Sequence, residues 1–384
     1  MLEMNQMLRL VVERDASDLH IVVGKPAVMR AGGTLDIVDP DILTPEDTER
    51  LMKEITPPRY QQLLQESGSA DFAYSFSEQA RFRTAVFRSR SCYSIVMRLI
   101  PSRILTFEEL GLSEGAIRES IMDMLYAHRG LCLVTGPTGS GKTTTLATFI
   151  NHINENRMVH ILTIEDPIEY THPHKQAIVN QRELHVDTTS FAFALRGALR
   201  QDPDVILVGE LRDIETMEAA LTAAETGHLV FGTLHTISAA QTVNRLIDAF
   251  PANQQEQIRS VLSVALYTVI AQTLLPRKDG KGRLAAYEIM HMTPAIQNLI
   301  RDHKVERIIS MMQTSAKFGM ITLDDFLLKL YHEDKVSEDV CLTRCHYPNE
   351  MRQKIMTPAF EEEEEEQAVQ SEEIDSNTLD VLDF

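Results

Sequence analysis

Tryptophan is missing from the sequence, aromatic residues make up 6% of it, and only four cysteines occur in 384 residues. Cys92, Cys132, Cys341 and Cys345 are too few for a disulfide framework. Cys341 and Cys345 stand beside His346, but a zinc centre needs more ligands at better spacing, so they read as reduced cysteines packed on a helix. No apolar run can span a bilayer. The longest, Val261 to Leu275, contains Ser263, Thr268, Gln272 and Thr273. Glu3, Arg9 and Glu13 interrupt any apolar leader, and the expected location is the cytoplasm.

Basic residues form no patch of the kind that tracks a nucleic-acid backbone, so nucleic acid is not an expected partner. The net charge is −19, but 11 of those excess acids fall in residues 361–384, which hold no base, leaving −8 on the other 360 residues. Residues 356–384, with Glu361 to Glu366 at their core, therefore read as a disordered acidic tail. Truncation after Phe360 is expected to leave activity largely unchanged, the alternative being a docking tail.

Length and hydrophobic content (43%) allow two or three domains with sizeable cores. Residues 1–100 read as a small mixed α+β domain. It has a helix over 4–13, a hairpin turning at Gly32-Gly33, a helix over 45–64, and strand-like runs at 71–76, 81–90 and 94–100. Residues 101–112 read as a linker. Residues 113–355 read as an α/β domain, with strands at 131–135, 160–164, 205–208 and 229–234 alternating with helices at 144–151, 191–200, 215–225 and 239–248. From about residue 254, helical periodicity dominates, broken by a hairpin at Asp279-Gly280-Lys281-Gly282.

Gly136-Pro137-Thr138-Gly139-Ser140-Gly141-Lys142-Thr143, followed by Thr144, fits the phosphate-cradling loop G-x-x-x-x-G-K-[ST] between a strand and a helix. Its glycines let backbone N–H groups turn onto phosphate oxygens, and the helix N-terminus adds positive potential. Lys142 would reach the β- and γ-phosphates of ATP, and the Thr143 hydroxyl would hold Mg²⁺.

Ligands of open parallel sheets sit beyond the carboxyl ends of the strands. Four strand ends here carry the phosphate loop, Glu165, Glu210 and His235. Asp204–Glu210 resembles a Walker B strand, but Gly209 stands where the metal-holding aspartate is usual. Glu210 would then either hold Mg²⁺ through water or share in activating water, with Glu165 the better candidate for orienting that water. His228 and His235 flank the fourth strand about 23 Å apart at about 3.3 Å per residue, so both cannot touch one phosphate. His235 is placed as the phosphate sensor. His228 is kept as a candidate whose contact is either catalytic, packing or a subunit interface. Arg81, Arg83, Arg98, Arg200 and Arg212 are candidate arginine fingers, among which the sequence does not choose.

Together these residues resemble the secretion and type IV pilus ATPase superfamily, and within it the pilus retraction ATPases of twitching motility. The resemblance spans about residues 1–350. It rests on Ser17-Asp18-Leu19-His20, the phosphate loop, Ile164–Tyr170, the Asp204–Glu210 strand and the histidine segment Thr226–Thr236. Ala295–Arg301 resembles a retraction-type helix, with Gln297 where arginine is usual, and there is no four-cysteine zinc segment. The resemblance implies a PAS-like first domain, a RecA-like second domain with ATP between them, and a homohexameric ring. It implies action at the cytoplasmic face of the inner membrane on a pilus platform protein, with a paralogous retraction ATPase as a further partner. A pilus assembly or secretion ATPase, and a non-catalytic ATP-binding accessory subunit, are the alternatives.

Overall fold

A computed structural model describes residues 3–77, 80–100 and 103–356, so the acidic tail expected over 356–384 lies, apart from Met356, outside the described residues. The chain folds around two sheets. The first takes the strands β1 (Asp18–Ile21), β2 (Ala27–Ala31), β3 (Thr34–Asp39), β4 (Ser69–Ser77), β5 (Ala80–Ser89) and β6 (Cys92–Ile100) in the order β3-β2-β1-β6-β5-β4, with antiparallel pairing throughout.

The helix Met4–Glu13 buries Met4, Met7, Leu8 and Val11, the spacing that puts them on one face. Gly32 (φ +54°) and Gly33 (φ +88°) make the two-residue turn between β2 and β3, where a side chain would be strained at both positions. The single helix expected over 45–64 is two, Pro45–Ile55 and Pro58–Ser67. Pro57 has no N–H to donate, and Thr56 before it is extended.

The second sheet has seven strands: β7 (Gly130–Thr135), β8 (His160–Glu165), β9 (Ile178–Glu183), β10 (Val205–Val208), β11 (Leu229–Leu234), β12 (Leu266–Pro276) and β13 (Arg283–His291). Their order is β13-β12-β7-β11-β10-β8-β9, parallel except for β13. The four strands expected from the sequence lie together in the middle. Every residue of β7, β10 and β11 is buried, as helices on both faces require.

Three expectations change. The helix-dominated region beyond residue 254 contains β12, which runs parallel to β7, and its hairpin partner β13. An apolar run of that length fits either a helix or a buried strand, and pairing with β7 decides it. The strand β9 was not expected, because its polar sequence Ile-Val-Asn-Gln-Arg-Glu lacks alternation. Finally, residues 103–112 are no free linker: Phe107 and Leu110, on the short helix Phe107–Leu110, and Leu112 are buried in the core of the second domain. The Thr148 hydroxyl donates to the Leu105 carbonyl at 2.8 Å.

Cys341 is buried in the same core, its thiol directed at the Leu327 carbonyl. The helix Pro294–Arg301, which carries the retraction-like segment, is capped by Thr293 and buries Ile296 and Ile300. Asn298 and Arg301 are exposed and hydrogen-bonded to each other, and Gln297 is half-buried.

Candidate nucleotide site

The strand β7 ends at Thr135, and the chain turns through Gly136–Gly141 into the helix Lys142–Asn156. Gly136 has φ +140°, and a Cβ there would lie 2.2 Å from the Gln272 carbonyl oxygen. Gly141, with φ +90°, is the N-cap, and a Cβ there would lie 2.8 Å from Gln272 Nε2. Gly136 is required by close approach of the β12 backbone as well as by its own backbone conformation, whereas Gly141 is required by its positive φ. The N-cap Gly141 has no side chain to cap the helix, so among the described residues its first N–H groups are left for an anion, with the helix dipole behind them.

Lys142 Nζ donates to the carbonyls of Gly136 (2.7 Å) and Pro137 (3.2 Å), which holds the ammonium over the loop. Burial lowers its pKa, against the opposing charges of Glu210 and Glu169. Ser140 Oγ is buried without a partner. Behind the loop, Thr145 donates to Gln272 Oε1 at 2.8 Å, and Thr144 meets the Tyr170 hydroxyl at 3.3 Å.

Glu165, the last residue of β8, is 7% exposed. Thr163 and Gln181 both donate to its Oε1, at 2.7 and 3.2 Å. Burial raises its pKa to about 7, only partly offset by these bonds. Gly209, in the place of the usual aspartate, packs on β8: a Cβ would lie 3.3 Å from Glu165 Cα and from the Ile164 carbonyl. A side chain at 209 would crowd the glutamate, and the carboxylate appears one residue later. Glu210 faces Arg212 (2.8 Å) through one oxygen and His235 Nε2 (3.2 Å) through the other.

The phosphate loop from Thr138 to Thr144, Glu165, Glu210, Arg212 and His235 line one cleft of about 440 Å³. The first domain closes it with Arg83 and Arg98. These arginines are directly opposed on β5 and β6, a like-charge pairing that calls for nearby anions. Arg98 Nε donates to Asp18 at 2.9 Å, and Arg83 faces Glu169 at 3.6 Å. The Ser17-Asp18-Leu19-His20 motif thus steers an arginine of the cleft.

Three sequence candidates lie elsewhere. His228 sits before β11, at the opposite end of the strand from His235, with Nδ1 3.0 Å from the Ala223 carbonyl. It does not line this chain's cleft, because six strand residues separate it from the site end. Arg200 is exposed past the end of the helix Phe191–Ala198 and also lies outside the cleft. Arg81 is turned to Glu183 of the second domain (3.5 Å). Sequence reading missed Tyr170, Gln181, Gln272 and Arg283. Only Tyr170 sat inside a recognised segment, and the others lie on β9, β12 and β13, whose relation to the loop is tertiary.

The family model described as "Type II/IV secretion system protein" matches residues 2–329. The chain belongs to this family. It is 46% identical over 347 residues to the type IV pilus retraction ATPase PilT of Pseudomonas aeruginosa, covering 90% of this chain and 99% of that one. It is 44% identical over 340 residues to a twitching motility protein of Neisseria gonorrhoeae, covering 88% and 89%. A crystal structure of the pilus retraction motor PilT with bound ADP superposes with a TM-score of 0.84 at 44% identity, covering 92% of this chain and all of that one. The chain is thus a PilT-like P-loop ATPase with the N-terminal and ATPase domains of the secretion ATPase fold. Among the described residues no helix is long and apolar enough to cross a membrane.

Proposed function

We propose that the chain is a Mg²⁺-dependent motor that hydrolyses ATP in the cleft between its two domains and powers type IV pilus retraction. It would work as a homohexamer at the cytoplasmic face of the inner membrane, moving a pilus platform protein, with a paralogous retraction ATPase as a further partner. The observation that carries this reading is the cleft itself. The phosphate loop, a buried carboxylate, a carboxylate–imidazole pair and two arginines from the other domain face one space.

In this reading the loop N–H groups and Lys142 hold the phosphates, and Glu165 orients the attacking water as its base. Glu210 keeps His235 and Arg212 directed at the transferred phosphate, and Arg83 and Arg98 neutralise charge as the domains approach. The oxygen donor set suits Mg²⁺: the Thr143 hydroxyl would hold it directly, and Glu210, whose oxygens face Arg212 and His235, through water. A bound Mg²⁺ supplies charge neutralisation at the phosphate oxygens. Relative movement of the domains, biased by contacts to the terminal phosphate, is the source of work.

Deleting the gene and counting surface pili tests the direction of the motor. Retraction predicts an excess of pili with loss of twitching. Loss of pili would identify an assembly motor instead. ATP turnover that survives complete chelation of Mg²⁺ would contradict the metal assignment.

A further inference from the structure

The strand β9 contributes nothing to the phosphate loop, yet it carries most of the hydrogen bonds that hold Glu165 and the loop after it. Gln181 donates through Nε2 to Glu165 Oε1 (3.2 Å) and to the Tyr170 carbonyl (2.8 Å), and its Oε1 accepts from the His172 N–H (2.8 Å). Glu183, two residues on and therefore on the same face, accepts from the Ile168 N–H at 3.2 Å. These two side chains hold the segment from Glu165 to His172 at Glu165, Ile168, Tyr170 and His172.

Glu183 has a second partner. The same Oε2 that receives Ile168 faces Arg81 of the first domain at 3.5 Å, in a pair whose side chains are 20% and 10% exposed. Arg83, on the same face of β5, reaches Glu169 of the same segment. A cavity of about 240 Å³ lies between the domains here, lined by Tyr60, Phe72, Pro167, Glu183 and Arg212 among others. Burial raises the Glu183 pKa in spite of Arg81 and Ile168. Removing one partner of a largely desolvated pair of this kind leaves the other charge buried and uncompensated, which couples Glu183 to Arg81.

We propose that Gln181 and Glu183 are positioning residues through which the placement of the first domain sets the orientation of Glu165. Arg81 holds Glu183, Glu183 holds Ile168, and Gln181 holds the carboxylate together with the far end of its loop. Movement of the first domain that draws Arg81 away releases Ile168 and lets Glu165 turn from its water. This rests on the reading of Glu165 as the water-orienting group. It also removes Arg81 from the candidate fingers and makes it a sensor of domain position.

The test is a double-mutant cycle in steady-state ATP turnover by the full chain: wild type, Arg81→Met, Glu183→Gln and the double variant. Each single change should lower kcat about 5- to 20-fold with KM for ATP within about twofold, and the double should be no slower than the slower single. Arg81→Lys should recover most of the rate, and Gln181→Leu should lower kcat at least as much. A finger role predicts instead that the Arg81 loss is the same in the wild-type and Glu183→Gln backgrounds, so the losses multiply, which would overturn the coupling. So would a rise in KM at unchanged kcat. Thermal melts report folding, and if Arg81→Met does not fold, Glu183→Gln and Arg81→Lys carry the same comparison. A wild-type chain without turnover overturns both this coupling and the reading of Glu165. Turnover with multiplicative losses overturns the coupling alone.

Discussion

Glu210 and His235, delivered by the neighbouring parallel strands β10 and β11, lie 3.2 Å apart, carboxylate to imidazole Nε2. The contact fixes the direction of a histidine that is otherwise half exposed, and it ties the Walker-B-like strand to the strand beside it. His235→Ala should therefore lower kcat about 100- to 1,000-fold, the range for loss of one positioned transition-state donor. His228→Ala, at the other end of β11, should leave single-site hydrolysis within about twofold. Equal losses from both substitutions would contradict the placement of His228 outside this chain's own site.

Glu165 gives a pH prediction with a definite sign. Its carboxyl titrates at about 7 in the folded chain, above its ordinary value of 4.5. If the carboxylate is the working form, kcat should rise through about pH 7 and level off above it. The effect on stability has the opposite sense. A pKa raised by folding means that the buried group costs nothing below the unfolded pKa, and that stability is lost as pH rises from there to about 7. The full cost is on the order of 3 kcal/mol. Glu165→Gln should thus abolish most turnover and raise Tm at pH 8 relative to the parent, with little stabilisation at pH 4. A lower Tm at pH 8 would mean that the carboxylate is satisfied by its hydrogen bonds.

Two glycines of the phosphate loop should respond differently. Gly136→Ala drives a methyl group into the Gln272 carbonyl, so binding of a fluorescent ADP analogue should fall at least 100-fold and Tm should drop. Gly139 has φ +79° but open space around its Cβ direction, and Gly139→Ala should cost only the left-handed backbone strain, about 1–2 kcal/mol. Equal losses would mean that crowding by β12 is not what selects glycine at 136.

The arginines separate in the same way. Arg83→Ala and Arg98→Ala should each reduce kcat by about 1,000-fold or more, as expected for arginines that act on the transferring phosphate. Arg200→Ala should stay within about twofold of the parent. A loss at Arg200 comparable with that at Arg83 would point to a role outside this chain's own cleft.

Legibility in the sequence followed the reach of the signals. The four central strands and the residues at their ends were readable because apolar runs, a glycine-rich loop and strand-end polar residues are local patterns. The helix Met4–Glu13 was readable to the residue from its periodicity. What escaped depends on contacts distant in sequence. Leu266–Pro276 becomes a strand only by pairing with β7, and Ile178–Glu183 only by adding to the edge of β8. Gln272 and Gln181, both uninformative as single glutamines, gain their meaning from the glycines and the glutamate they touch. Phe107 and Leu112 were lost inside an expected linker because their burial partners, Phe149 among them, lie beyond it in sequence.

Phosphate release by the purified full chain with ATP and Mg²⁺, measured beside the Lys142→Ala variant, tests the central claim most directly. The account predicts steady turnover by the parent and none above background by the variant, with both proteins folded to the same melting temperature within a few degrees. Turnover by Lys142→Ala at the parent rate would place hydrolysis outside this cleft and contradict the account.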